Sequence, residues 1–237
     1  MTHVFHGHCP VCDTDTSFAS PDDWYRDHLN CQTCGSIPRE RAFAWALERF
    51  CPDWRGKTIH ESSPAERLVS TRLRDGCADY IGTQYFPDLK PGEMRNGFRS
   101  ENLEAMSFGD ASIDLHVHLD VLEHVNHPDR CFADMERTLR PGGMMIFTTP
   151  IYEQKVETER RGFYDDDHKI NFILEPEYHG NPIDETGAPV TFHYGHNISD
   201  MILMWTRNCG VLCIAPNDAT MGIVGKFREV FVVTKHA

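Results

Sequence analysis

Chemistry enters this chain first through cysteine. Cys9 and Cys12 form one C-x2-C pair, and Cys31 and Cys34 form a second. Each pair presents two thiolates from one tight turn, and two pairs complete a tetrahedral shell of four sulfurs around zinc. A closed shell leaves no open position. The spacing therefore points to a structural zinc on Cys9, Cys12, Cys31 and Cys34 and to no catalysis there. Such a site contributes on the order of 10 kcal/mol to the folding of a small unit with almost no core. His3, His6 and His8 stand nearby as substitute ligands, although four cysteines suffice; the bland reading is four unrelated buried thiols.

The second concentration is histidine. Residues 151–197 carry scattered prolines, weak periodicity, and the polar runs Asp165-Asp166-Asp167-His168 and Pro176-Glu177-Tyr178-His179-Gly180-Asn181-Pro182. A stretch of this length between core elements is too long for an ordinary connector and reads as a lid or substrate-binding insertion. Histidine titrates near neutrality, so His168, His179, His193 and His196 are candidate general bases. The competing reading for each is a solvated, turn-rich loop. His116-Val117-His118 lies inside an apolar run and reads as satisfied interior histidine. Arg39 and Arg41 form a compact basic spot, read as solvated surface or helix-dipole contacts, with a phosphate-bearing substrate as the sharper alternative.

The elements that must position these groups follow from periodicity. Ser36 to Phe50 carries apolar residues at helical spacing and should link the cysteine module to the rest. Gly56–His60 reads as a first strand, Ala65–Arg74 as a helix beginning near Pro64 and Glu66, Asp79–Thr83 as a second strand, and Phe98–Leu103 as a third. Ile113–Leu119 is a buried strand that ends at Asp120. Pro128 to Leu139 is a helix with Cys131, Phe132, Met135 and Leu139 on one face, stopped by Pro141-Gly142-Gly143 ahead of a strand at Met144–Thr148. Strand, crossover helix and strand make a right-handed βαβ unit of a parallel sheet, which places ligand sites at the carboxyl ends of its strands. Ser199 should cap a helix to Asn208, and Val211–Ala215 and Glu229–Thr234 read as the last two strands. Cys209 and Cys213 read as buried thiols.

The order SFGDASIDLHVHLDVLEHVNHPDRCFADMERTLRPGGMMIFTTP resembles the central half of a class I S-adenosylmethionine-dependent methyltransferase of the type 11-like group, here behind an N-terminal zinc ribbon. The resemblance implies an α/β fold: a Rossmann-like, seven-stranded methyltransferase sheet closed by an antiparallel hairpin, with a small zinc-binding module at residues 1–50. The methyltransferase domain would span 51–237, with its substrate-side insertion at 151–197. It implies S-adenosylmethionine as cofactor, with Glu61 at the first strand end near the cofactor's ammonium group and Ser62 and Ser63 where the family has glycines. Gln84 and Tyr85 stand where a carboxylate usually binds the ribose, with Asp88 as a stand-in. Asn102 and Leu103, or Glu101, fall at the adenine, and Leu119, Asp120 and Val121 flank the reaction centre. His124 is the family's usual histidine, read as a packing residue or a base.

The totals limit the substrate. At 237 residues the chain fits one domain plus a small appendage, and a formal charge of −13 argues against a nucleic-acid backbone as the main partner. A small molecule or saccharide, methylated at oxygen or nitrogen, is the expected acceptor. An RNA methyltransferase and a non-catalytic binding protein that has lost the cofactor are the alternatives. No apolar run suits a membrane span and the N-terminus has no signal-peptide core, so a cytoplasmic protein without membrane contact is expected.

Overall fold

The computed structural model describes residues 2–65, 67–180 and 187–237. Glu66, expected near a helix start, and Asn181-Pro182, at the end of the PEYHGNP run, lie outside the described residues. The N-terminal module is a three-stranded antiparallel sheet of β1 (His3–Cys9), β2 (Thr14–Ser20) and β3 (Asn30–Cys31), with the one-turn helix α1 (Tyr25–His28) before β3. Helix α2 (Pro38–Phe50) follows, with Pro38 in its first turn and the Ile37 amide donating to Glu40 Oε2 at 2.9 Å, which satisfies an otherwise orphaned N–H.

The main sheet is built from β4 (Thr58–Ser62), β5 (Asp79–Gln84), β6 (Met94–Arg95), β7 (Phe98–Ser100), β8 (Ile113–Leu119), β9 (Leu139–Thr148), β16 (Cys209–Ile214) and β17 (Val230–Lys235), in the order β16-β17-β9-β8-β4-β5-β7-β6. β4 pairs in parallel with β5 and β8, β8 with β9, and β5 with β7; β17 runs antiparallel to β9 and β16. Seven strands were expected and, among the described residues, the sheet has eight. The added pair Met94–Arg95 folds back on β7 as a hairpin at the sheet edge. Pro141-Gly142-Gly143 does not delay the strand as expected: β9 already pairs at Leu139 with Ile113, and a register irregularity between Ile113 and Leu115 absorbs the turn.

Helices α3 (Leu68–Gly76), α4 (Pro128–Thr138) and α5 (Ile198–Trp205) complete the layers. One apolar cluster joins Ile59, Leu115, Val117, Ile146 and Val232 of the sheet to Ala42, Phe43 and Leu47 of α2, and onward to Phe18, Leu29 and the cysteines of the module. The other packs Phe147 and Phe231 against Phe132 of α4 and Ile202 of α5. The sheet is thus covered on both faces, as a parallel sheet requires. α5 is not capped by Ser199: Asn197 precedes it, and the Asn197 side chain instead accepts from the amide and hydroxyl of Thr158. Cys209 is buried as expected, whereas Cys213 is exposed on the edge strand β16.

The segment 151–197 holds short antiparallel pairs: β10 (Glu159–Arg160) with β15 (Phe192–His193), β11 (Gly162–Tyr164) with β12 (Ile170–Phe172), and β13 (Tyr178–His179) with β14 (Ala188–Pro189). It is tied to the end of β8 by the Thr191 amide and hydroxyl, which donate to the Glu123 carbonyl at 2.7 and 2.9 Å. The insertion therefore stands over the carboxyl ends of the strands. None of the described helices is long and apolar enough to cross a membrane.

Candidate functional site

The four cysteines converge. Cys9 Sγ and Cys34 Sγ lie 3.8 Å apart, Cys12 Sγ and Cys31 Sγ 4.0 Å, and all four sulfurs fall within 4.8 Å of one another. That is the spacing of ligands around one tetrahedral ion. The Cys34 amide donates to Cys31 Sγ and the Thr14 hydroxyl to Cys12 Sγ, so negative charge on these sulfurs is partly satisfied by the module itself. His8 is occupied elsewhere, between Asp13 and Asp15 at 3.0 Å each.

Glu61, at the carboxyl end of β4, is buried. Its two oxygens accept from Ser70 Oγ at 2.6 Å and Tyr80 Oη at 2.8 Å. Burial pushes its carboxyl up to about 7, even though both hydroxyls favour the charged form. Ser62 ends β4, and Ser63 follows with φ 54°, a left-handed conformation in which glycine is the usual residue. The small side chain keeps the backbone approachable. A cavity of about 220 Å³ lies here, lined by Glu61, Ser63, Ser70 and Leu119 together with Arg39 and Arg67.

The remaining strand-end residues divide. The Gln84 amide donates to the Pro64 carbonyl at 3.1 Å and thereby holds the β4–α3 loop. Tyr85 is exposed, its hydroxyl 3.3 Å from His168 Nδ1. Asn102 accepts from the Glu104 amide in a local turn, and Leu103 is buried in the core behind it. Glu101 is fixed by Arg99, the Ser107 amide and the Ser107 hydroxyl. Asp88, the stand-in for a ribose carboxylate, is instead bound by both Arg95 nitrogens at the surface, at 3.0 and 2.6 Å.

Asp120 sits at the end of β8 with φ 52°. Its Oδ2 meets Arg26 Nη2 at 3.0 Å and Arg39 Nε at 3.1 Å, and its Oδ1 accepts from Thr148 Oγ1 at 2.7 Å. Burial would raise this carboxyl, but Arg39, Arg26 and Thr148 together hold it below its ordinary value. Both arginines come from the cysteine module and the start of α2. Arg39 is therefore not solvated surface, as its sequence context suggested. Nor is Arg41, which is fully buried and donates to the carbonyls of Ser36, Leu29 and Gly222. Arg39 is half-buried at the cavity's edge and engaged by Asp27 and Asp120, while the core that continues from the module into the sheet leaves Arg41 no room for solvent.

Beyond Asp120, the segment Leu122–His124 forms a single helical turn under the insertion. Glu123 is buried. Its Oε1 has no hydrogen-bond partner among the described residues and lies 3.7 Å from His179 Nδ1 and 3.9 Å from His124 Nε2. Glu177 links the next pair, with Oε1 3.4 Å from His179 Nε2 and Oε2 2.9 Å from His193 Nε2. The His193 ring stacks on Tyr152 at 3.8 Å, and Tyr152 meets Phe227 edge-on, which in turn covers Arg26. Glu123 raises the His179 pKa, while burial lowers that of His193 against the opposing charge of Glu177. Of the four candidate bases, His179 and His193 thus share one carboxylate. His168 reaches Tyr85, and His196 faces the Glu153 carbonyl; both are exposed.

Inside the sheet, His60 Nδ1 and His116 Nδ1 are 2.8 Å apart, and their far nitrogens meet Thr83 and Thr138. His116 is satisfied, as expected. His118 is not: it is buried against Phe147 at 4.5 Å, and neither ring nitrogen has a partner among the described residues.

Strand order, the antiparallel closing hairpin and the loaded strand ends make this a Rossmann-like methyltransferase fold. Residues 68–147 match the methyltransferase domain family. A Mycolicibacterium smegmatis protein described as a "probable S-adenosylmethionine-dependent methyltransferase" is 27% identical over 99 residues, covering 40% of this chain and 38% of its own length. An uncharacterized methyltransferase of Mycolicibacterium gilvum is 27% identical over 108 residues, covering 41% of each. The chain spans about two fifths of the length of these curated relatives. Among solved structures, an S-adenosylmethionine-dependent methyltransferase from Mesorhizobium loti aligns with a TM-score of 0.53 at 16% identity, over 82% of this chain and 98% of its own. The glycopeptide N-methyltransferase MtfA in complex with S-adenosylmethionine aligns at 0.52 and 13%, over 84% and 94%. Similarity at that identity establishes the fold.

Proposed function

We propose that the chain is an S-adenosylmethionine-dependent methyltransferase acting at oxygen or nitrogen of a small molecule or saccharide, with a structural zinc on Cys9, Cys12, Cys31 and Cys34. The observation that carries this reading is the crevice between the ends of β4 and β8, where acidic Glu61 and left-handed Ser63 face Leu119. Loops at the carboxyl ends of a doubly wound sheet are where this architecture binds its ligands.

The cofactor, when bound, supplies a methyl group on a positively charged sulfur. Glu61 would attract its ammonium group, Ser62 and Ser63 would let the backbone approach, and Gln84-Tyr85 and Asn102-Leu103, after β5 and β7, would serve its ribose and adenine. Leu119, Asp120 and Val121 would flank the reacting atoms. The acceptor would enter beneath the insertion, where the His193–Glu177 pair, with its imidazole stacked on Tyr152, stands ready to take a proton. Aligning the nucleophile and excluding water are the main tasks left to the protein. The carboxylates Glu123 and Glu177 beneath the insertion disfavour a phosphate backbone, which speaks against RNA. The glycopeptide named for MtfA is in keeping with a saccharide-bearing or small acceptor.

One observation favours a binding protein without catalysis: both Glu61 oxygens already accept internal hydrogen bonds. Calorimetry with S-adenosylmethionine and S-adenosylhomocysteine on the zinc-loaded chain separates the two. The enzyme reading expects micromolar binding, weakened at least tenfold in Glu61→Gln, followed by transfer of labelled methyl to a saccharide or metabolite pool and none to RNA. No binding at millimolar cofactor would overturn it.

A further inference from the structure

We propose that Glu123, His124 and His179 form a second metal site, distinct from the cysteines, for a first-row divalent cation of the manganese, iron or cobalt kind. The three groups come from two separate parts of the chain, the turn after β8 and strand β13 of the insertion. Their donor atoms lie within 4.8 Å of one another. Neighbouring donors around an ion with bonds near 2.1 Å sit roughly 3.0–3.5 Å apart, so the observed 3.7 and 3.9 Å need only a small inward movement.

One feature prepares each of the three donors. The Pro189 carbonyl can only accept, so His124 Nδ1 at 2.8 Å from it carries the proton and Nε2 keeps its lone pair toward Glu123. Glu177 Oε1, 3.4 Å from His179 Nε2, favours the proton on that nitrogen and frees Nδ1. Glu123 Oε1 is buried with no partner among the described residues, while Oε2 accepts from Thr149 Oγ1 at 3.2 Å. A buried carboxylate oxygen with nothing to bind is costly, and a cation between two imidazoles would satisfy it. Two nitrogens and one carboxylate oxygen suit a borderline first-row ion better than magnesium or calcium, which prefer all-oxygen shells.

Three protein donors leave coordination positions open. Their place next to the end of β8 suits an acceptor with two adjacent oxygens, such as a vicinal diol. This role rests on the methyltransferase reading; metal binding itself does not. A coordinated hydroxyl would give its proton to the His193–Glu177 pair, its oxygen would form the new bond to the methyl carbon, and the carbon–sulfur bond would break to leave a neutral thioether.

The test is titration of Mn2+ into the full chain with its cysteines loaded with zinc, followed by electron paramagnetic resonance and calorimetry. One Mn2+ per chain is expected. Glu123→Gln and His179→Ala should each weaken it at least tenfold, and the exposed control His28→Ala should leave it unchanged. Near-ultraviolet circular dichroism checks that the variants are folded; His179, on a short surface strand, is the safer of the two. No Mn2+ binding at millimolar concentration to folded protein, or binding that both folded variants retain, overturns the proposal. Because the readout needs neither cofactor nor turnover, failure of the methyltransferase reading would leave this result standing.

Discussion

Two clusters of ligand-type side chains are built in opposite ways. The cysteine cluster draws its donors from two tight turns, and its spacing alone announces it. The cluster of Glu123, His124, Glu177, His179 and His193 draws on one turn of the main domain and two strands of the insertion, and takes shape only when the insertion docks. A locally encoded site can stabilise a small unit by itself. A site assembled over distance inherits its geometry from everything that holds its parts. Arg26 and Arg39 connect the two, since the cysteine module and the start of α2 neutralise Asp120 at the end of β8.

The largest effect expected from breaking this arrangement follows removal of the proposed zinc. Chelation, or Cys31→Ser, should cost most of the roughly 10 kcal/mol typical of such sites and unfold the module cooperatively, seen as loss of the thermal transition. Because the module shares a core with the sheet, the main domain should melt in the same transition. Two separate transitions would show that the module is an independent appendage.

A smaller effect is expected from Arg39→Ala. It leaves Asp120 with Arg26 alone and should cost about 2–3 kcal/mol, less than the roughly 3–5 kcal/mol for a buried charge stripped of its only partner. Urea unfolding checks this; a change below about 0.5 kcal/mol would mean that the link between the clusters carries no energy.

Glu61 gives a comparable effect confined to a pH window. Its folded pKa, about 7, lies above the ordinary 4.5, so its contribution to stability is full below about pH 4.5 and is lost as pH rises through 7. Glu61→Gln has no such dependence. The stability difference between wild type and variant should move in the variant's favour by up to about 3 kcal/mol from pH 4.5 to 8. A difference independent of pH would place the Glu61 pKa near its usual value.

The smallest effect belongs to His118. Burial holds its pKa at about 3, below the ordinary 6.5, so the native state is favoured above pH 6.5 and loses stability as pH falls toward 3. His118→Phe removes that liability and should gain about 1–2 kcal/mol relative to wild type on going from pH 7 to 5, measured by denaturant midpoints. No gain would mean that His118 finds a proton acceptor in solution.

Much of this architecture was legible in the sequence because it is written in short-range pattern. The apolar runs of β8 and β9, the periodic face of α4 and the paired cysteines each lie within a few residues of their own signal. The strand ending ahead of Asp120 was placed correctly, whereas the first strand, expected to stop at His60, runs on through Glu61 to Ser62. What those side chains bind was not legible. Asn102 and Glu101 are held in local hydrogen bonds, and Arg26 reaches Asp120 across 94 residues of sequence. No periodicity records such partners. Glu123 and Glu177 stand in quoted motifs, but only the docking of the insertion reveals that they face histidines. The edge hairpin at Met94–Arg95 is too short to leave an alternating pattern, and Arg41 in a polar-looking run gave no hint that three carbonyls surround it.

Arg41 also bears on how the chain acquires its fold. Its guanidinium donates to the Gly222 carbonyl, 181 residues further on, and the loop bearing Gly222 lies between β16 and β17. During synthesis, the N-terminal module emerges with a cation whose native acceptor has not yet been made. Completion of the core waits for the last hairpin to leave the ribosome. Such long-range closure slows folding and prolongs exposure of apolar surface. A chain that stops short of residue 222 would bury this cation with fewer acceptors, so the quality of the first module is settled by the last stretch of the chain.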